Sequence, residues 1–145
     1  MNDSGFNAPA LTGLGRVLLA AIFIWSGFGK LMMPAATIGY IAHVGLPVPP
    51  AAYAVAVIVE LGGGLALLFG LATRWVALAL GLFCLVTAFA VHGFADLNSQ
   101  IHALKNIAMA GGFLFVMAHG AGAWSVDAML HGRRPSAAQA ARHPA

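Results

Sequence analysis

Glu60 is the one glutamate in this 145-residue chain, and it stands inside an apolar run, AAYAVAVIVELGGGLALLFGLATR, from Ala51 to Arg74. At 1.5 Å per residue such a run is long enough to cross a bilayer as a helix. A carboxylate at mid-membrane depth is costly to hold unless a cation or donor inside a helix bundle meets it, so Glu60 marks a candidate site. Lys30 and Lys105 stand in two other apolar runs, and Asn106 follows the second lysine. One carboxylate between two ammonium groups offsets much of the desolvation cost and leaves one positive charge over. A layer of Lys30, Glu60, Lys105 and Asn106 suits an anionic or carbonyl-bearing ligand, with Glu60 able to take up a proton. The competing reading of each lysine is plain anchoring, its stem lying along the helix and its ammonium at the membrane surface. For the shorter Glu60, burial against a partner is the favoured reading.

Spacing places these residues at one depth. Arg16 to Lys30, Glu60 to Arg74 and Lys105 to His119 are each 14 residues apart. If Arg16, Arg74 and His119 share one interface, the other three lie about 21 Å above it. Arg16 and Arg74 then serve as topology markers. With Arg133, Arg134 and Arg142 they put the arginines at one face, so the positive-inside rule predicts cytoplasmic N and C termini.

Composition names the solvent. The chain is 61% apolar and 8% charged, with a mean hydropathy of +0.88, against roughly a quarter charged in soluble domains. A chain this short cannot bury so much apolar surface within itself, so its partner is the lipid bilayer. The net charge of +3 is small, and without a basic stripe interleaved with aromatics it points to no nucleic acid.

The runs predict an all-α integral membrane protein, an antiparallel four-helix bundle. Its spans are expected at about 14–33, 51–73, 75–94 and 102–120, within a domain of residues 14–128. Residues 1–13 read as a cytoplasmic lead-in and 129–145 as a basic, disordered cytoplasmic tail. The first run ends at Gly29-Lys30 without a small-x-small cleavage pattern, so it is expected to stay in the mature protein. Pro34 stops the first helix. Ile38, Ile41, Ala42 and Val44 then have the spacing of an amphipathic segment on the membrane surface, and Thr73-Arg74-Trp75 leaves room only for a short cytoplasmic turn between spans 2 and 3.

Other residues carry less. Cys84 stands alone, which excludes an internal disulfide or a cysteine-ligated cluster and leaves a packing residue. His43, His92 and His102 map to the outer face, but without metal-binding spacing they read as interfacial histidines, and no metal site is expected. Gly63-Gly64 and Gly111-Gly112 are expected to admit close helix packing. Ser125 is the candidate cap of a last short helix.

Arg16 with Ser26-Gly27 and Lys30, then Glu60 with Gly63-Gly64, Gly70 and Arg74, then Lys105-Asn106 with Gly111-Gly112 and a closing Ser125-x-Asp127, occur in an order and spacing that resembles the DoxX family of small inner-membrane proteins. The resemblance spans about residues 14 to 128. It implies a four-helix protein of the bacterial or archaeal inner membrane. Members are associated with a terminal quinol oxidase, with thiosulfate:quinone oxidoreductase, with redox-stress complexes or with quinone and catechol detoxification, which makes quinone the candidate cofactor.

Three functions follow for test. The first is a subunit or accessory of a quinone-linked redox or oxidative-stress system, with redox-enzyme partner subunits or a bound cofactor supplying the electron carrier that the sequence does not. The second is a non-catalytic scaffold or assembly factor whose polar layer only fixes helix pairing. The third is a small proton-coupled permease, which would need a homo-oligomer to build a path.

Overall fold

The computed structural model describes residues 8–132, and within them every regular element is a helix. The first span, α1 (Ala8–Met32), is followed by the short α2 (Pro34–His43). The second span is assembled from α3 (Pro49–Val57), a π-helical segment π1 (Ile58–Gly62) and α4 (Gly63–Phe69). The third joins α5 (Thr73–Thr87) to a second π segment, π2 (Ala88–His92). The fourth is α6 (Leu97–His119), and α7 (Val126–Gly132) closes the described chain. All four spans are long and apolar enough to cross a membrane, and about a fifth or less of each is buried inside the bundle. Leu18, Trp25, Ile58, Trp75, Phe89 and Phe115 are each more than 60% exposed, as the surface of a membrane-embedded bundle would be.

Local chemistry sets the ends of these helices. α1 breaks at Met33, and Pro34 takes the first position of α2, where its missing N–H costs nothing. Pro49 and Pro50 start α3 in the same way after Val48, a β-branched residue held at φ +48°. Asp96 caps α6, its carboxylate accepting from the N–H groups of Asn98 and Ser99. α1 begins at Ala8, ahead of the expected start at Leu14, with Pro9 in its first turn, where the missing N–H costs nothing. Most of the expected basic tail, including Arg133, Arg134 and Arg142, lies outside the described residues.

Packing divides the bundle into two helix pairs, α1 with the second span and α5 with α6, whereas α1 and α6 touch only sparingly. Close approach within the first pair depends on glycine. A Cβ on Gly27 would lie 2.7 Å from the backbone N of Leu61, and one on Gly64 would lie 3.1 Å from the backbone N of Ile24. The expected role of Gly111-Gly112 is not found. Gly111 has nothing within 4 Å of its Cβ position, and Gly112 has only ordinary contact with Leu19. The core of Ala20, Phe23, Leu67, Ala77, Leu80, Cys84, Ala110 and Phe113 fills one half of the bundle's length. Phe23 and Phe113 meet across it with ring centroids 5.5 Å apart. In the other half the two pairs part, and a cavity opens.

Candidate functional site

The second span carries its buried residues as a stripe at Ala56, Glu60, Gly64 and Leu67. Steps of four overrun the 3.6-residue turn of an α-helix. The wider turn of π1 absorbs the surplus, and so Glu60 points into the bundle with only 7% of its surface exposed. The third span behaves alike. Its stripe of Ala77, Leu80, Cys84 and Ala88 runs into π2, which delivers His92 to the cavity. Single π turns inside α-helices are uncommon and often mark functional sites. Here both border the same space.

Glu60 has one cationic partner. Lys30 Nζ donates to Glu60 Oε2 at 2.8 Å, to Oε1 at 3.0 Å and to Ser26 Oγ at 2.8 Å. The ammonium group thereby uses all three of its donors on α1 and π1, and neutralises the carboxylate. Ser26 stands one turn before Lys30, which is why α1 can present both to the same acceptor face.

Lys105 and Asn106 share the cavity with that pair but do not reach it. Both line its wall on α6, and neither has a side-chain hydrogen bond among the described residues. Lys105 is exposed and Asn106 half-buried. The four residues therefore stand around one space, with Lys30 and Glu60 bonded and the α6 residues opposite. Arg74 approaches Ala118 O at 3.5 Å, and Arg16 donates to the carbonyls of Ala121 and Trp124.

Arg16 is more than a topological mark. It is 5% exposed, tied into a knot with the chain that follows α6. Asp127 completes that knot by accepting from the N–H groups of Ala72 and Thr73, both at 2.8 Å, while its own N–H donates to Gly70 O. These bonds cap α5 and hold the tight turn in which Gly70 and Ala72 have φ of +67° and +47°. Ser125 caps α7, accepting from Ala128 N at 3.1 Å.

The cavity has a volume of about 910 Å³, the size of a pocket for a drug-sized molecule. Its floor is the top of the core, Phe23, Phe83 and Met109, and its roof is α2 through Thr37, Tyr40 and Ile41. Trp25, Val55 and Val86 line it and are exposed, so it opens at the surface of the bundle. Two residues that the sequence offered only as interfacial histidines also line it. His92 and His102 both line the cavity with their rings stacked, centroids 5.1 Å apart at an interplanar angle of 21°. Their pairing needed π2 to turn His92 inward, which no local pattern announces. His43 is exposed and stands apart from the cavity, and among the described residues no three candidate metal ligands come together.

Comparison with known proteins now decides the family. The DoxX family model matches residues 11–93, more than half of the chain, from the first turn of α1 through π2. The chain belongs to the DoxX family. This DoxX protein is 39% identical over 119 residues to Inner membrane protein YqjF of Escherichia coli (strain K12), a match covering 81% of this chain and 90% of YqjF. It is 33% identical over 131 residues to Inner membrane protein YphA of the same organism, covering 86% of this chain and 94% of YphA. No solved structure matches. Lys30 and Glu60 fall inside the DoxX match, and His102, Lys105 and Asn106 fall beyond it.

Proposed function

We propose that this DoxX protein binds the headgroup of a quinone-like, carbonyl-bearing molecule from the membrane, as a subunit or accessory of a quinone-linked redox or oxidative-stress system. The observation that carries the reading is the cavity itself, a space open at the surface of the bundle whose apolar lining converges on the Lys30–Glu60 pair and on Asn106. A planar apolar ring fits against Phe23, Phe83 and Met109. Its carbonyl oxygens are acceptors, and the free donors facing them are the amide of Asn106 and the ammonium of Lys105. A reduced, hydroxyl-bearing form would donate to Glu60. The electron carrier comes from partner subunits, because this chain supplies binding and a proton acceptor only. In this reading both termini are cytoplasmic, on the side of Arg16 and Arg74.

The test is binding of 1,4-naphthoquinone to the purified protein in detergent, read by quenching of tryptophan fluorescence, since Trp25 lines the cavity. Asn106→Leu, which removes a donor without touching the Lys30–Glu60 pair, is expected to weaken binding by about tenfold, the worth of one hydrogen bond to an unmatched acceptor. Saturable binding that neither Asn106→Leu nor Glu60→Gln alters would place the quinone elsewhere and remove the proposal.

A second reading has its own support. Lys30 spends every donor on Glu60 and Ser26, as a device that fixes the register of α1 against the second span would. On that reading the protein is a membrane scaffold or assembly factor. Co-purification with a redox enzyme whose activity survives both Glu60→Gln and Asn106→Leu would favour it.

A further inference from the structure

The two walls of the cavity differ in charge. On the α1 and π1 side the only carboxylate, Glu60, is cancelled by Lys30 at 2.8 Å. On the α6 side stand His102, Lys105 and Asn106, at the i, i+3 and i+4 positions of one helix face, with His92 stacked on His102. The described residues contain only two other carboxylates. Asp96 is engaged with Asn98 and Ser99 in the cap of α6, and Asp127 is at the opposite end of the bundle. Neither lines the cavity, and Lys30–Glu60 is the one ion pair among the described residues. The second wall is therefore a cationic surface with donors, facing an apolar space and without an internal counter-charge.

We infer that the α6 wall binds an anionic oxygen, so that the cavity selects an apolar molecule carrying one ionised acidic head, a carboxylate or an ionised enol, over its neutral analogue. The inference rests on the binding role proposed above and adds the charge state of the ligand. Lys105 supplies the charge. Asn106 and a ring N–H of His102 supply donors on either side of it, and His92 sets the plane of His102 by stacking. The apolar body of the molecule lies toward Phe23 and Phe83, away from the neutralised pair. An ion placed there exchanges water for a charge-assisted hydrogen bond in a low-dielectric site, where such bonds are stronger than neutral ones.

The experiment uses the full chain in nanodiscs of phosphatidylcholine and three probes. 1,4-Naphthoquinone is neutral, 2-hydroxy-1,4-naphthoquinone carries the same rings and is ionised at neutral pH, and 2-naphthoate is an anion without the quinone. The ionised quinone is expected to bind about tenfold or more tighter than the neutral one, the gain from one charge-assisted hydrogen bond. Lys105→Gln is expected to abolish that preference, weakening the ionised quinone by about tenfold and 1,4-naphthoquinone, which keeps the Asn106 donor, by less. Equal affinity for the two quinones, or a preference that survives Lys105→Gln, overturns the inference and leaves the quinone reading standing. Binding of 2-naphthoate that depends on Lys105, with no binding of 1,4-naphthoquinone, removes the quinone reading and sustains this one. Displacement of the ionised quinone when phosphatidylglycerol is added to the nanodisc would assign the α6 wall to a lipid headgroup and overturn it.

Discussion

Removing one member of the Lys30–Glu60 pair exposes how much of the bundle depends on it. Unit charges 2.8 Å apart attract by about 6 kcal/mol at an effective dielectric of ~20. Desolvation of both groups cancels a large part of that, more so for Glu60, whose side chain is 9% exposed, than for Lys30 at 27%. Glu60→Ala leaves an ammonium with one remaining partner, Ser26, and is expected to destabilise by about 3 kcal/mol. In a chain of this size that is a fall in Tm of roughly 5–10 °C. Lys30→Ala strands the carboxylate at similar cost. The double variant has no uncompensated charge, so its loss should fall short of the sum by about 1–3 kcal/mol. Lys105→Ala combined with Glu60→Ala should instead add within about 0.5 kcal/mol, since the two share a cavity without a bond. Thermal unfolding in detergent micelles, followed by circular dichroism for all five variants, measures each leg. Additivity for Lys30 with Glu60, or coupling of Lys105 as strong as that of Lys30, would refute the geometry on which the site rests.

Three further outcomes are expected. Gly27→Ala sets a Cβ 2.7 Å from the backbone N of Leu61 and should cost about 1–3 kcal/mol as an overpacked contact, whereas Gly111→Ala meets nothing within 4 Å and should be neutral or stabilising by up to ~1 kcal/mol; paired Tm measurements separate them. Asp127→Ala removes the acceptor of two N–H groups at the start of α5 and should cost about 1–2 kcal/mol, with Asp127→Asn milder. Its readout is the same thermal unfolding. Asp96 is held below the usual carboxylate range by the Ser99 hydroxyl first and by the N–H groups of Ser99 and Asn98. Its folded value lies under its unfolded one, so its contribution is present above the ordinary carboxylate range and fades as pH falls through the depressed value. The Tm gap between wild type and Asp96→Ala should accordingly be open at neutral pH and close in acid; a gap of constant width would contradict the cap.

The sequence alone determined the apolar character of the chain and the number of helices long enough to cross a membrane. Those follow from apolar run length and from proline stops, which are local quantities. Side-chain pairing was beyond its reach. Two lysines 14 residues above the same interface look alike along the chain, and only the splaying of α1 from α6 gives Glu60 to Lys30 and leaves Lys105 across the gap. The same holds for the glycines, because Gly27 and Gly111 differ only in whether another helix passes over them. Arg16 read as an interfacial anchor until the returning chain from Ala121 to Asp127 enclosed it. The π turns that aim Glu60 and His92 inward were decided last, since an extra residue in a turn is stable only where packing on both sides of it holds the shift in register.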